Sequence, residues 1–380
     1  MSDVQQILAD LVAFPSVCRT PNGAIVAYVR EHLARHGIAA QIIPGPEGDR
    51  SNLFATLGPR EVPGYILSAH LDVVPAPAAG WTGDPFRLRR AGDRLIGRGA
   101  VDMKGFVACL LATLPEIGRD LQRPLHIALS YDEEVGCVGV RHLIARLPEF
   151  CAPPLGCIVG EPSDLHPVLR HKGKVAGRLI VRGRAGHSSR PDLAENAVHH
   201  AADLVGLVRD LHERLSREGP FHPAFEPPAS TLQVGVIAGG TSVNVVPDQC
   251  AIDWEARAIP GTDPMALHAA LEEAIAAWLA PLQAEGRPVQ VESEVLSGYP
   301  ALDLPDHADL RAMAEDLSGR EARGAVSFGT EAGLYQAAGI PAIICGPGSI
   351  AQAHKPDEFI AAADLDACCA MLRRLAARLR

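Results

Sequence analysis

Apolar residues recur at helical spacing over residues 3–14, where Pro15 stops the pattern, and again over 24–36 before Gly37, a residue suited to the position just past a helix end. Two opening helices are predicted. Short apolar runs follow at 38–43, 53–57, 65–69, 125–130 and 157–159, with helical patterns at 104–114 and 138–147 between some of them. That alternation predicts an α/β sheet covered by helices.

From Lys174 the texture changes. Strand patterns at 175–182, 232–237, 250–256 and 289–295 and helical patterns at 194–214 and 264–282 give the order βαββαβ, that of a small ferredoxin-like unit. The Pro- and His-rich stretch 221–228 is a loop within it. Tyr299-Pro300-Ala301 marks a return to α/β texture, with a strand at 340–345 and a C-terminal helix. The expected organisation is one α/β domain, residues 1–173 and 298–380, interrupted by an inserted α+β domain, residues 174–297. Its two connections, near Gly173 and Gly298, are placed to hinge.

A chain of 380 residues suits two domains, and 47% hydrophobic with 21% charged residues is a globular composition that excludes disorder and collagen. Acids outnumber Lys plus Arg by 45 to 35, for a net charge of −10. Such a chain is repelled by phosphate backbones and anionic lipid, so neither nucleic acid nor membrane is an expected partner. No run approaches the roughly 18 apolar residues of a membrane span. Nine cysteines without CxxC spacing, and an N-terminus lacking a basic and then apolar leader, predict a reducing, cytoplasmic location.

Three predicted strands end in groups able to bind a metal, at the strand ends where ligand sites form in open α/β sheets. They read Ile66-Leu67-Ser68-Ala69-His70-Leu71-Asp72, Ile127-Ala128-Leu129-Ser130-Tyr131-Asp132-Glu133-Glu134 and Cys157-Ile158-Val159-Gly160-Glu161-Pro162. Between them the Gly-bracketed loop 97–105 carries Asp102 into a predicted helix, and the late loop 346–354 ends in a second imidazole, His354. Two histidines and several carboxylates, with no thiolate, suit zinc or a similar divalent ion, and a pair of ions bridged by one carboxylate would use all five groups. Of adjacent Glu133 and Glu134, one can bind metal while the other accepts a proton from water. Asp72, two residues after His70, is a plausible acceptor for the other imidazole nitrogen. Taken singly, Glu133-Glu134 also reads as an exposed acidic turn and 97–105 as a tight turn before a helix. Neither reading explains why all these strand ends carry ligand-type groups.

In order and spacing, His70-Leu71-Asp72-Val73-Val74-Pro75, Gly97-Arg98-Gly99 through Asp102-Met103-Lys104-Gly105, Asp132-Glu133-Glu134 and Gly160-Glu161-Pro162 resemble the two-zinc aminoacylase, carboxypeptidase and desuccinylase hydrolases over essentially the whole chain. The resemblance implies a catalytic domain with a mixed sheet flanked by helices, like that of zinc exopeptidases, and an inserted ferredoxin-like dimerisation domain. It implies two divalent metal ions per subunit, zinc or cobalt, one on His70, Asp102 and Glu161 and the other on Asp102, Glu134 and His354. Glu133 would be the general base and acid. His187, in Gly186-His187-Ser188-Ser189, matches a histidine that reaches the active site of the neighbouring subunit as an oxyanion donor, so a homodimer is implied. Arg257 and Asn244 match positions that hold the substrate carboxylate, a task suited to a guanidinium fork. Ala69 before His70 and Glu255-Ala256 before Arg257 depart from the pattern of many relatives, at positions that bear on pocket shape.

Within that superfamily, His171-Lys172-Gly173, Gly329-Thr330-Glu331-Ala332 and residues 346–354 resemble the branch that hydrolyses N2-acetyl-L-ornithine to L-ornithine and acetate in arginine biosynthesis. Glu331 would then face the cationic side chain of a small N-acyl amino acid. A broader N-acyl-amino-acid deacylase, a succinyl-diaminopimelate desuccinylase, a dipeptidase and a non-catalytic binding relative are the alternatives.

Overall fold

The computed structural model describes residues 2–117, 120–306 and 308–380. The chain begins with α1 (Asp3–Val12), α2 (Gly23–Arg35), β1 (Ala40–Pro44), β2 (Ser51–Leu57), β3 (Tyr65–His70), β4 (Arg89–Ala91), β5 (Arg94–Ile96), α3 (Lys104–Ile117), β6 (Leu125–Ser130), α4 (Val138–Phe150) and β7 (Gly156–Pro162). After the two-residue β8 (Arg170–His171) come β9 (Gly173–Arg182), β10 (Gly186–His187), α5 (Ala197–Glu218), β11 (Thr231–Gly239), β12 (Val245–Val246), β13 (Gln249–Ala258), α6 (Pro264–Ala284) and β14 (Gln290–Tyr299). The last elements are β15 (Leu302–Asp303), α7 (Asp309–Ser318), α8 (Ala332–Ala337), β16 (Ala342–Gly346), β17 (Phe359–Ala361) and α9 (Ala362–Leu379).

Contacts divide the chain into two compact units: 1–170 with 302–325 and 330–380, and 171–301 with 326–329. The first is built on a mixed six-stranded sheet of order β1-β2-β6-β3-β7-β16, with β6, β3, β7 and β16 parallel. Every residue of β6 and β7 is buried, as expected of strands covered on both faces. Helix α3 is apolar over most of its surface. Phe106, Val107, Leu110 and Leu111 are fully buried where it packs against α1 and α9. It runs past Pro115, where the sequence pattern predicts its end. The Leu111 carbonyl, which Pro115 has no N–H to serve, receives a hydrogen bond from His32 instead.

In the second unit the antiparallel order is β11-β13-β9-β14. Burial alternates along β9 and β13, so one sheet face packs Val175, Leu179, Val181, Ile252 and Trp254 against Leu204 and Val208 of α5 and Leu267 and Leu271 of α6. The βαββαβ order is the one the pattern predicts. Helix α5 starts at Ala197, three residues later than its periodicity suggests. The reason is that the Asn196 side chain accepts from the amides of Val198 and His199 and so fixes the cap. In α6, Asp263 caps and Pro264 fills the first turn.

The periodicity missed the three-stranded sheet β17-β5-β4 and helices α7 and α8. Strands of three residues, such as Arg89–Ala91, are too short to show a period. Among the described residues no helix is long and apolar enough to cross a membrane.

Candidate metal centre

Strands β6, β3 and β7 are parallel neighbours, so their carboxyl ends meet on one edge of the sheet. His70, the last residue of β3, stands opposite Ser130, the last of β6. Ser68 pairs with Val159, which sets Glu161 level with His70 two residues further on. Past β6 the backbone turns through left-handed Asp132 and Cys137, at φ 53° and 54°, and the amides of Gly136 and Cys137 donate to the Glu133 carbonyl. Gly160 precedes Glu161 for want of room: a Cβ there would lie 2.2 Å from the Phe106 ring.

His70 is 1% exposed. Its Nδ1 lies 2.8 Å from the Asp72 carbonyl oxygen, which leaves Nε2 facing Asp102 Oδ1 at 3.1 Å and Glu161 Oε1 at 3.6 Å. The other oxygen of Asp102, Oδ2, is 3.1 Å from His354 Nε2, which also lies 2.9 Å from Glu134 Oε2. Ligand atoms of His70, Asp102 and Glu134, and likewise of His70, Glu133 and Glu161, all lie within 4.8 Å of one another. The sequence reading pairs the Asp72 carboxylate with His70. In the structure that carboxylate is 3.6 Å from Nδ1 and accepts the amides of Glu133 and Glu134 at 3.1 and 3.2 Å, bracing the acidic pair, while its own carbonyl orients the imidazole.

Burial pushes the Glu133 carboxyl up to about 8 and that of Glu134 up to about 7, with neighbouring carboxylates adding to both shifts. Burial likewise raises Glu161 and Asp72. For Asp102 burial acts in the same sense but is outweighed by the hydrogen bonds to His354 and His70, which hold it well below the usual carboxylate range. His354 is raised to about 10 by its hydrogen bonds to Asp102 and Glu134. Burial opposes protonation of His70, yet its hydrogen bond to Asp102 and the Glu161 charge raise it well above its ordinary value. The cluster by itself thus compensates its crowded negative charge by holding protons. A divalent cation is the alternative compensation, and the donor set fits one. All the donors are nitrogen or oxygen, and Glu134 Oε1 is buried without a hydrogen-bond partner. Displacing protons with such an ion would return the imidazoles to their neutral form and lower the carboxyls.

Cys137, missed in the sequence, is fully buried and donates its thiol hydrogen to Glu133 Oε1 at 3.4 Å. Glu331, expected to face a substrate cation, is 1% exposed, with Oε1 accepting from Ser68 and Oε2 from Ser130 at 2.8 Å. Tyr335 completes the group through its 2.8 Å contact with Ser68. The signal for this network is a serine within one continuous apolar strand and another at the end of its neighbour.

The remaining predicted residues belong to the second unit. β10 pairs with β12, His187 opposite Val245, and the Ser188 amide donates to the Asn244 carbonyl, so His187 and Asn244 share one exposed ribbon. His187 Nδ1 lies 2.7 Å from Ser189 Oγ. Arg257, on β13, donates Nε to Glu255 at 2.8 Å and Nη1 to Tyr299 at 3.0 Å. These bonds hold its guanidinium in one orientation.

A profile of peptidase family M20/M25/M40 matches residues 66–378. The chain is 34% identical over 366 residues to an acetylornithine deacetylase of Photorhabdus laumondii, covering 93% of this chain and 91% of that one. It is 34% identical over 358 residues to one of Vibrio cholerae, covering 93% and 90%. In fold it is similar to an M20 family metallo-carboxypeptidase of Sulfolobus solfataricus, with a TM-score of 0.80, 18% identity and 99% of each chain covered. It is also similar to a dinuclear metal-binding M20 peptidase of Bacillus subtilis, with a TM-score of 0.62, 16% identity and 99% and 97% covered. With the ligand-type side chains gathered at the strand ends and a match over most of its length, the chain belongs to peptidase family M20/M25/M40 and is a hydrolase of linear amide bonds.

Proposed function

We propose that the protein removes the acetyl group from N2-acetyl-L-ornithine, giving L-ornithine and acetate, with two divalent metal ions, zinc by preference and cobalt in its place. His70, Asp102 and Glu161 would hold one ion, and Asp102, Glu134 and His354 the other. The observation that carries this reading is Asp102, whose two oxygens face different imidazoles at 3.1 Å each, the placement a shared carboxylate needs. The two relatives at 34% identity support the choice of substrate. Bound ions would supply Lewis acidity to the amide carbonyl and make a water acidic enough to react near neutral pH.

The rest falls to the chain. Glu133 takes the proton of the attacking water and returns it to the amine nitrogen as the C–N bond breaks. The Cys137 thiol and the brace from Asp72 to the Glu133 amide fix where that carboxylate points. His187, contributed by one subunit of a homodimer to the site of the other, donates to the carbonyl oxygen as charge develops there. Exposed Val236 and Ile237 on edge strand β11, with Val243 wholly exposed beyond it, are an apolar surface of the kind a dimer covers. Arg257 and Asn244 bind the substrate carboxylate. A place in arginine biosynthesis and in the cytoplasm goes with this assignment.

One observation favours a second reading, a broader N-acyl-amino-acid deacylase. Glu331 is enclosed by Ser68 and Ser130 and offers no exposed oxygen to a side-chain cation. Turnover of N2-acetylornithine, N-succinyl-diaminopimelate and several neutral N-acetyl amino acids on one preparation tests both. A kcat/KM for acetylornithine well above the others supports the first reading, and equal values across the N-acetyl amino acids overturn it in favour of the second.

A further inference from the structure

The metal centre draws its shared ligand and its late imidazole from loops far apart in the chain, and a buried carboxylate joins them. Glu358 is 1% exposed. Its Oε1 accepts the amides of Val101 at 3.0 Å and Asp102 at 3.2 Å, and its Oε2 accepts Arg98 Nη1 at 2.7 Å. The backbone follows the same path: the Gly97 amide donates to the Glu358 carbonyl, and Phe359 pairs with Ile96. Arg98, itself 3% exposed, reaches the Lys355 carbonyl with Nη1 at 3.5 Å and lies over the Trp81 ring at 5.1 Å. Lys355 is the residue after His354. One ion pair therefore touches the backbone amide of Asp102 on one side and the residue beside His354 on the other.

A third observation concerns cost. Burying a charged pair costs several kcal/mol per ion before any return, and backbone pairing of β5 with β17 already ties these segments together. A carboxylate placed among other acids is a poor choice for a simple clamp. It is a good choice where two amide dipoles flanking a ligand must be held to a fraction of an ångström.

We propose that Glu358, with Arg98, is a positioning residue of the metal centre, a buried carboxylate that sets the Asp102 loop against the segment carrying His354 so that the two faces of Asp102 stay aligned with both imidazoles. This rests on the ligand reading given above. Among the described residues no hydrogen bond joins Glu358 to the side chain of a proposed ligand, so it would act through the backbone amide of Asp102.

The test is cobalt(II) reconstitution of the metal-free protein, read as ions bound per subunit, affinity of each ion and the visible d–d spectrum, for wild type, Glu358→Ala, Glu358→Gln and Arg98→Met. Wild type should bind two ions. Glu358→Ala should weaken at least one ion by about 10- to 100-fold and alter the spectrum. Glu358→Gln, which keeps an oxygen acceptor for the two amides, should recover most of that loss. If Glu358→Ala does not fold, Glu358→Gln and Arg98→Met carry the test, and wild-type affinities and spectra in both overturn the proposal. A folded Glu358→Ala that melts earlier but binds cobalt as wild type overturns it too, leaving a structural clamp. A wild-type chain that takes up no cobalt overturns the ligand reading itself and this proposal with it.

Discussion

The two units present their candidate residues in opposite ways. In the first, the side chains of His70 and Glu161 at parallel-strand ends and of Asp102 and Glu134 on adjoining loops are nearly inaccessible and in contact with one another or with His354, which is half-exposed. In the second, His187 and Asn244 are exposed on a two-residue ribbon. Charged groups crowded in a buried site must be compensated where they stand, and on the proposed reading the first unit is a preorganised centre for ions. Exposed polar groups carry no such constraint, and theirs is a surface that gains a function only by meeting something else.

Removing the ions should break the comparison most completely. Chelation is expected to abolish activity and lower stability by about 4 kcal/mol per ion if the free ion had stood at 1,000 times its Kd, seen as a lower Tm, with both restored by zinc or cobalt. An unchanged melting curve would mean that ions contribute nothing to the first unit. Next in size, Glu133→Ala should cut kcat on the order of 10³-fold with two ions still bound per subunit, checked by metal analysis. His187→Ala should cut kcat by about 10²-fold and leave metal content unchanged. Subunit exchange sharpens that case: mixing inactive Glu133→Ala and His187→Ala dimers should restore about a quarter of wild-type activity if each subunit lends its histidine to the other. Arg257→Lys should raise KM about tenfold with little change in kcat, because lysine lacks the fork.

One further effect is shared by the two units. His126 in the first and His171 in the second are fully buried, and burial lowers each to about 4. Each is depressed in the folded state, so as pH falls below about 6.5 the unfolded chain takes up protons that the native state refuses. The contribution of each histidine should be level above that point and decline toward pH 4, by on the order of 3 kcal/mol per histidine. Denaturant melts of His126→Gln and His171→Gln across this range should each lose one share of the slope.

Much of this was legible without coordinates because it is local. Apolar runs of five or six residues, ended by His70 or by Glu133 and Glu134, mark strands and what their ends carry. The βαββαβ order of the second unit is legible for the same reason. Elements β4, β5 and β17 were not, each being three residues long and so too short for any period.

By itself, then, the sequence determined which residue types stand at the ends of which strands and how far apart along the chain, since strand length and apolar pattern are properties of neighbouring residues. Only the tertiary structure decided what those residues lean on. Glu331 meets Ser68 across 263 positions, and Glu358 meets the Asp102 amide across 256. Pairings at that range depend on strand order and register, which bring distant segments to one edge of a sheet. For that reason Asp72 came to brace the Glu133-Glu134 amides, and Glu331 came to join serines of two neighbouring strands.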